Sequence, residues 1–283
     1  MRLLGLGDNT FDEYAHAGVA YPGGNAVNVA VRARRLGAEA AYLGRVGADD
    51  RGRHLLNALA SEGVDVSRCQ IGDEPTAWVR ISVVDGDRHF VDKDPGARRH
   101  LRLDASDLAY LEGFDVVHSS IYSFLEGQFD DVRRHARVLS WDCSNRWDAS
   151  YLERVAPHLD WIILSLDADD DGAARDLVRR CLALGAANAV VTRGARGAMV
   201  GTAGTIIEQP AVPVTPVDTL GAGDAFIATL LVRTYGEAPD PVAAVAEAAG
   251  SAASACLESG GFGHPVPIGG APPRAGAGLR SRS

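Results

Sequence analysis

The run Val217-Asp218-Thr219-Leu220-Gly221-Ala222-Gly223-Asp224-Ala225-Phe226 sets two carboxylates on either side of a stretch of small residues. Gly221, Ala222 and Gly223 let the backbone turn sharply and expose consecutive N–H groups at the mouth of a helix that Ala225-Phe226-Ile227-Ala228 would open. Negative charge is favoured at such a mouth, so an anion bound there would repel Asp224 unless that carboxylate acts on a neighbouring hydroxyl as a general base. The chemistry indicated is a base acting on a hydroxyl beside a bound anion. The plainer reading makes Asp218 or Asp224 a capping carboxylate in an ordinary strand-to-helix turn.

Two further stretches carry groups that suit such a reaction. Tyr21-Pro22-Gly23-Gly24-Asn25-Ala26-Val27-Asn28 is a glycine turn running into a segment of helical length that ends at Gly37, with Asn25 and Asn28 in its first turn. An amide inside an Ala/Val-rich turn is costly unless it meets a partner, and a bound polyol would supply one. Alternatively Asn25 caps the helix and Asn28 satisfies nearby backbone. Ala189-Val190-Val191-Thr192 is a buried strand that delivers Arg193-Gly194-Ala195-Arg196-Gly197, whose two glycines allow close backbone approach. A simple hairpin turn before Ala198-Met199-Val200 competes with that reading.

The elements that must position these groups alternate. Leu3 to Gly7 is a first buried strand handing Asp8, Asn9 and Asp12 to its C-terminal rim, where ligands bind in open α/β sheets. Gly5-Leu6-Gly7 invites a dinucleotide-fold reading, but Thr10 stands where the third glycine belongs. Ala40 to Gly47 reads as a strand, Arg53 to Glu62 as a helix, and Asp115 to His118, Val138 to Cys143 and Trp161 to Leu164 as strands. Helices are expected over Gln128 to Ala136, Leu177 to Leu184, Phe226 to Tyr235 and Val242 to Leu257. His118 ends a strand, where it would face a substrate or serve as a structural hydrogen-bonding group. Between Thr76 and Val91 the pattern alternates around Asp85-Gly86-Asp87, which predicts a hairpin. The fold class is α/β, a mostly parallel sheet with helices on both faces and a small β lid. The lid draws on parts of 8–22 and 73–95, and it should be small because only about ten residues separate Asp12 from Gly23.

The 283 residues suit one large domain over 1–262 followed by a disordered Gly/Pro/Ser/Arg-rich tail over 263–283. With 46% hydrophobic, 23% charged and 6% aromatic residues the chain is globular, and a formal charge of −9 argues against a nucleic-acid surface. The four cysteines are far apart and read as reduced, mostly buried thiols. The N-terminal apolar run breaks too soon for a signal peptide and no stretch has the length of a membrane span, so a cytoplasmic location without membrane partners is expected.

Asp218-Thr219-Leu220-Gly221-Ala222-Gly223-Asp224 resembles the C-terminal signature of the ribokinase (PfkB) family of carbohydrate kinases. Gly44-Arg45-Val46-Gly47-Ala48-Asp49-Asp50-Arg51-Gly52 fits the family's N-terminal signature, and Thr192 to Gly197 resembles its Thr-x-Gly-x-x-Gly element. The resemblance implies an ATP-dependent kinase in which Asp224 is the base, Gly221, Ala222 and Gly223 form the anion hole, and Thr192, Gly194 and Gly197 meet the nucleotide. It implies that Asp12, Gly23, Gly24, Asn25 and Asn28 meet the sugar. The small residues from Ala249 to Gly261 would pack an adenine ring. ATP brings Mg²⁺, and Asp218 with Thr219 would lie near a monovalent cation such as K⁺. The family's Asn-x-x-Glu motif is replaced by Ser165-Leu166-Asp167-Ala168, leaving Asp167 or Asp169 as the Mg²⁺-linked carboxylate. Gly7-Asp8-Asn9-x-x-Asp12, the Gly23 to Val31 segment, Thr76-Ala77 and Trp147-Asp148 are similar to the branch that phosphorylates fructoselysine, which implies a fructosamine 6-hydroxyl as acceptor. The alternatives are a kinase for another ketose, aldose or nucleoside, or a non-catalytic sugar-binding protein. The edges of exposed lid strands suit a homodimer.

Overall fold

The computed structural model describes residues 1–84, 87–167, 170–202, 204–237 and 239–268. In chain order the elements begin with β1 (Arg2–Gly7), β2 (Thr10–Tyr14), β3 (Val19–Gly23), α1 (Asn25–Arg35), β4 (Glu39–Gly47) and α2 (Asp50–Ser61). Next come β5 (Gln70–Gly72), β6 (Trp78–Val84), β7 (Asp87–Asp94), α3 (Ala105–Leu111), β8 (Val116–Ser120), α4 (Phe129–His135), β9 (Leu139–Asp142) and α5 (Ala149–Val155). The chain continues through β10 (Trp161–Ser165), α6 (Asp171–Ala183), β11 (Asn188–Thr192), β12 (Ala198–Thr202), β13 (Thr205–Gln209), α7 (Ala222–Thr234), α8 (Pro241–Ala255) and β14 (Val266–Pro267).

The main sheet has nine strands in the order β13-β12-β11-β10-β9-β8-β1-β4-β5. From β11 to β5 neighbouring strands are parallel, whereas β12 and β13 return antiparallel at one edge. Burial on both faces explains the near-continuous apolar runs Leu3-Leu4, Val116-Val117 and Ile162-Ile163-Leu164. One face packs on α3 to α6 through residues such as Leu111, Val132, Leu152 and Val178. The other packs on α1, α7 and α8 through Val29, Phe226, Leu230 and Ala248. Cys143 and Cys181 are buried, and all four cysteines are free thiols.

A second sheet of five strands, in the order β14-β3-β2-β6-β7, forms the lid. It is the small β lid that the sequence predicts, with one short edge strand added. The short span from Asp12 to Gly23 accommodates an antiparallel pair, β2 against β3, because a turn at Ala15–Gly18 needs little chain. The hairpin of β6 and β7 is present, and Asp85 and Gly86 at its expected turn lie outside the described residues. Within the span expected to be a tail, Val266 and Pro267 pair with Ala20 and Val19, since the open edge of β3 offers backbone partners. The rest of the expected tail, 269–283, lies outside the described residues.

The N-terminal signature works as an anchor between body and lid. Asp49 caps α2 by accepting from Gly52 N at 2.8 Å, and its carboxylate also takes the Thr76 hydroxyl at 2.6 Å and amide at 2.8 Å. Thr76 is the residue from which β6 enters the lid. Glu13, buried on β2, pairs with Arg51 of α2 and with Arg80 of the neighbouring lid strand β6, and the Arg51 pair is a second tie between body and lid.

Candidate active site

The C-terminal ends of the central strands set the rim in a fixed order, with Thr192 on β11, Ser165 on β10, Asp142 on β9, Ser120 on β8 and Asp8 just past β1. Asp8 is buried and organises the start of α1. Its carboxylate accepts from Asn25 N at 2.8 Å, Ala26 N at 3.2 Å and the Ser120 hydroxyl at 2.7 Å. A side chain distant in sequence therefore supplies the cap, satisfying backbone donors the helix cannot. Asn25, which reads from sequence as a cap, is released for other work.

That work is to hold Asp224. Asn25 Nδ2 donates to Asp224 Oδ1 at 2.8 Å, and Asn28, one helical turn on, donates to Oδ2 at 2.6 Å. Asn25 Nδ2 also donates to Asp142 Oδ2 at 2.9 Å, so a single amide bridges two carboxylates. Removal from water raises the Asp224 carboxyl to about 6, against the opposing pull of the Asn28 and Asn25 amides. Burial, with the repulsion of Asp224 and Asp8, raises Asp142 to about 7 despite a hydrogen bond from Ser144 N. Asp142 and His118 complete this cluster; His118 takes the structural hydrogen-bonding place that was one of its two sequence readings, and Asp142 was not assigned to the site. The one signal for Asp142 was a carboxylate closing a strand otherwise made of core residues.

α7 begins at Ala222, ahead of the expected start at Phe226, and this places Asp224 in its first turn. Gly221 is its cap, at φ 78°, and a Cβ there would come within 3.0 Å of Gly261 Cα, so glycine is required twice over. At Gly223 a Cβ would meet nothing within 4 Å. The helix mouth is thus open at the point where first-turn N–H groups lack intrahelical acceptors.

Asp218 does structural work. Its Oδ2 accepts from Tyr14 Oη at 2.6 Å and Gly260 N at 2.9 Å, and its Oδ1 accepts from Leu220 N at 2.9 Å. Tyr14 lies on β2, so this bond joins the lid to the loop before α7.

On the opposite side of Asp142, Thr192 and Ser165 face each other with their hydroxyls 3.1 Å apart. Ser165 is the residue standing where the Asn-x-x-Glu motif begins. The segment from Arg193 to Gly197 does turn β11 into β12 as a hairpin, and a Cβ at Gly197 would lie 2.0 Å from Gln209 O. Glycine there serves strand packing, while Gly194 faces open space. Arg193 and Arg196 both pair with Asp171 at the start of α6. Asp169 lies outside the described residues, and among the described residues no group of three or more His, Cys, Asp or Glu side chains is arranged to hold a metal ion.

Asp12 is buried on β2, and its Oδ2 lies 2.7 Å from where a Gly23 Cβ would be, with Asn28 Oδ1 at 3.6 Å from the same point. Asp12, Gly23 and Asn28 therefore converge on one spot beneath the lid. Asn28 Oδ1 is buried and receives no hydrogen bond.

A nine-stranded, mostly parallel sheet between helical layers, a separate five-stranded lid and a carboxylate at a glycine-capped helix mouth define a ribokinase-like α/β protein. The solved structure of Arabidopsis thaliana ribokinase complexed with ribose and ATP matches with a TM-score of 0.77 at 19% identity, covering 92% of this chain and 93% of that one. Fructosamine kinase FrlD of Bacillus subtilis (strain 168) is 36% identical over 272 residues, 94% of this chain and 95% of the relative. Fructoselysine 6-kinase of Escherichia coli (strain K12) is 35% identical over 229 residues, 81% of this chain and 87% of the relative. Residues 8–268 match the pfkB family of carbohydrate kinases, and the chain belongs to that family as an ATP-dependent sugar kinase.

Proposed function

We propose that this kinase transfers the γ-phosphate of ATP to the 6-hydroxyl of fructoselysine or a related fructosamine, within one catalytic domain over 1–262. The observation that carries the mechanism is Asp224, in the first turn of α7 with each carboxylate oxygen held by an asparagine amide and its pKa raised to about 6. The substrate reading is supported by the names of the two curated relatives, each more than a third identical to this chain.

Each Asp224 oxygen keeps a lone pair beyond the amide bond it accepts, and one of these takes the proton of the sugar's primary hydroxyl. The hydroxyl oxygen forms the new O–P bond while the bond from the γ-phosphorus to the ADP oxygen breaks. N–H groups from Gly221 to Asp224 stabilise charge on the phosphoryl group in flight. A base with pKa near 6 is ionised at neutral pH yet still basic enough to take the proton. Asp12, Gly23, Gly24, Asn25 and Asn28 bind the sugar. Thr192, Gly194 and Gly197 meet the nucleotide, with adenine against the small residues from Ala249 to Gly261.

Mg²⁺ bound to ATP would supply shielding of the phosphate charge, with Asp167 or Asp169 as the carboxylate that would be linked to it. The lack of a three-carboxylate cluster among the described residues suits an ion held mainly by phosphate and water. A K⁺ ion at Asp218 and Thr219 fits less well, since Tyr14, Gly260 and Leu220 already donate to the Asp218 carboxylate. The body of the enzyme works in the cytoplasm, and the β7 edge of the lid is the surface suited to a second copy.

The test is coupled ADP release with fructoselysine, fructose, ribose and adenosine as acceptors. Fructoselysine should give the highest kcat/KM. If ribose or adenosine outruns it, the substrate assignment fails and the kinase class stands.

A further inference from the structure

Behind Asp224 stands a chain of side chains that the phosphoryl-transfer scheme leaves unused. His118 is fully buried on β8, between Gly5 of β1 and Ser140 of β9. Its Nδ1 lies 2.9 Å from Ser140 Oγ and its Nε2 lies 2.8 Å from Asn25 Oδ1. We infer that His118 is a positioning residue whose Nε2–H fixes the Asn25 side-chain amide, so that Asn25 remains a hydrogen-bond donor to Asp224 and Asp142 through every protonation state of the two carboxylates. The inference rests on Asp224 being the base.

The direction of every bond in the chain follows from the chemistry of its members. Ionised Asp224 only accepts, and Asn25 has a single NH₂ group, which bridges it and Asp142. That NH₂ must face Asp142 and Asp224, which leaves Oδ1 toward His118. The imidazole nitrogen facing Oδ1 must then carry the proton. A neutral imidazole has one N–H, so Nδ1 is an acceptor and the Ser140 hydroxyl donates to it. Burial lowers the His118 pKa to about 3, which keeps the ring neutral across the working range.

The lock matters at the moment of catalysis. Once Asp224 has taken the substrate proton it becomes a carboxylic acid and gains an O–H donor. An amide free to rotate would turn its oxygen toward that O–H and stabilise the protonated base, which must instead release its proton before the next turnover. His118 prevents the rotation, because a flipped amide would set its NH₂ against the Nε2–H and leave both donors buried without acceptors. Polarisation along Ser140, His118 and Asn25 also strengthens the donor that Asp224 receives. The charged and titratable groups around Asp224 are Asp8 at the end of β1, Asp142 on β9 and Arg32 on α1, and none of them can perform this directional task.

Two measurements on the full chain test the inference. In ¹⁵N-histidine-labelled protein, with His118→Gln to assign the signal, His118 should show the Nε2–H tautomer without titrating between about pH 5 and 9. An Nδ1–H tautomer or a titrating ring overturns the lock, and this reading needs no substrate. In ADP release with fructoselysine, His118→Leu should lose about tenfold in kcat with little change in KM, and the acid limb of its pH profile should move up by roughly one unit. His118→Gln, whose amide nitrogen sits where Nε2 does, should recover most of both losses. If Gln is as impaired as Leu, or Leu keeps the wild-type limb, His118 is only a packing residue. Loss of turnover in Asp224→Asn alongside a normal His118→Leu profile rejects the lock alone, whereas turnover surviving in Asp224→Asn rejects the base.

Discussion

Asp142→Asn tests the electrostatic account of the site without depending on the substrate. Asp142 has a folded pKa of about 7 against an ordinary value of 3.8, raised first by burial and then by Asp224 and Asp8. Between those two values the folded protein binds more protons than the unfolded chain. This contribution to stability is therefore present at low pH and falls as pH rises through the window from about 4 to about 7. At roughly 1.4 kcal/mol per unit the penalty at pH 8 has a ceiling of about 4 kcal/mol. Asparagine removes the buried charge, but one of the two hydrogen bonds that Asp142 accepts, from Asn25 and from Ser144 N, is lost at a cost of about 1 kcal/mol. The expected outcome is a variant about 1–3 kcal/mol more stable than wild type at pH 8, with the difference vanishing or reversing below about pH 4. Urea unfolding followed by circular dichroism at half-unit pH steps measures it. A variant less stable at pH 8, with a pH slope matching wild type, would refute the claim that Asp142 is held as a disfavoured charge.

Other perturbations separate the parts of the site. Asp224→Asn should lower kcat by roughly 10³-fold with a much smaller effect on KM, because it removes proton acceptance while leaving a similar shape; steady-state ADP release decides this, and a loss below tenfold counts against the base. Wild-type kcat/KM should fall below about pH 6 as Asp224 is protonated, and Asp142→Asn should leave that limb near its place, because Asp142 is still mostly protonated and uncharged there. Gly221→Ala forces a side chain into φ 78° and toward Gly261, so it should cost about 1–3 kcal/mol in thermal unfolding and depress kcat by displacing the helix mouth. Tyr14→Phe removes a 2.6 Å bond to Asp218 and should destabilise by about 1.5–3 kcal/mol, with amide exchange rising first in β2 and β3.

Much of the fold was legible because it depends on local rules. Buried parallel strands must be apolar along their whole length, helices end at glycines, and the alternation of the two predicts helices on both faces of a parallel sheet. The strand pairing inside the lid rests instead on distant partners. Nothing in the short run from Thr10 to Gly23 distinguishes a loop from a hairpin until β6 and Val266-Pro267 supply partners on either side. The start of α7 was placed late because Gly221-Ala222-Gly223 reads locally as a turn, and packing against Gly261 decides where the helix begins.

By itself the sequence determined the residue types at the centre of this protein: a carboxylate after a glycine turn, two asparagines one helical turn apart, and glycine loops fit for phosphates. Those follow from what a backbone and a side chain can do within a few residues. Which groups meet was decided only by the tertiary structure. Asp8 took the capping role that Asn25 seemed to hold, and Asn25 was left to bridge Asp142 and Asp224 with His118 behind it. Those contacts join residues from one end of the chain to the other, and their pairing is set by strand order at the rim. The raised pKa values follow for the same reason, since burial and repulsion belong to the assembled cluster and not to any one residue in the chain.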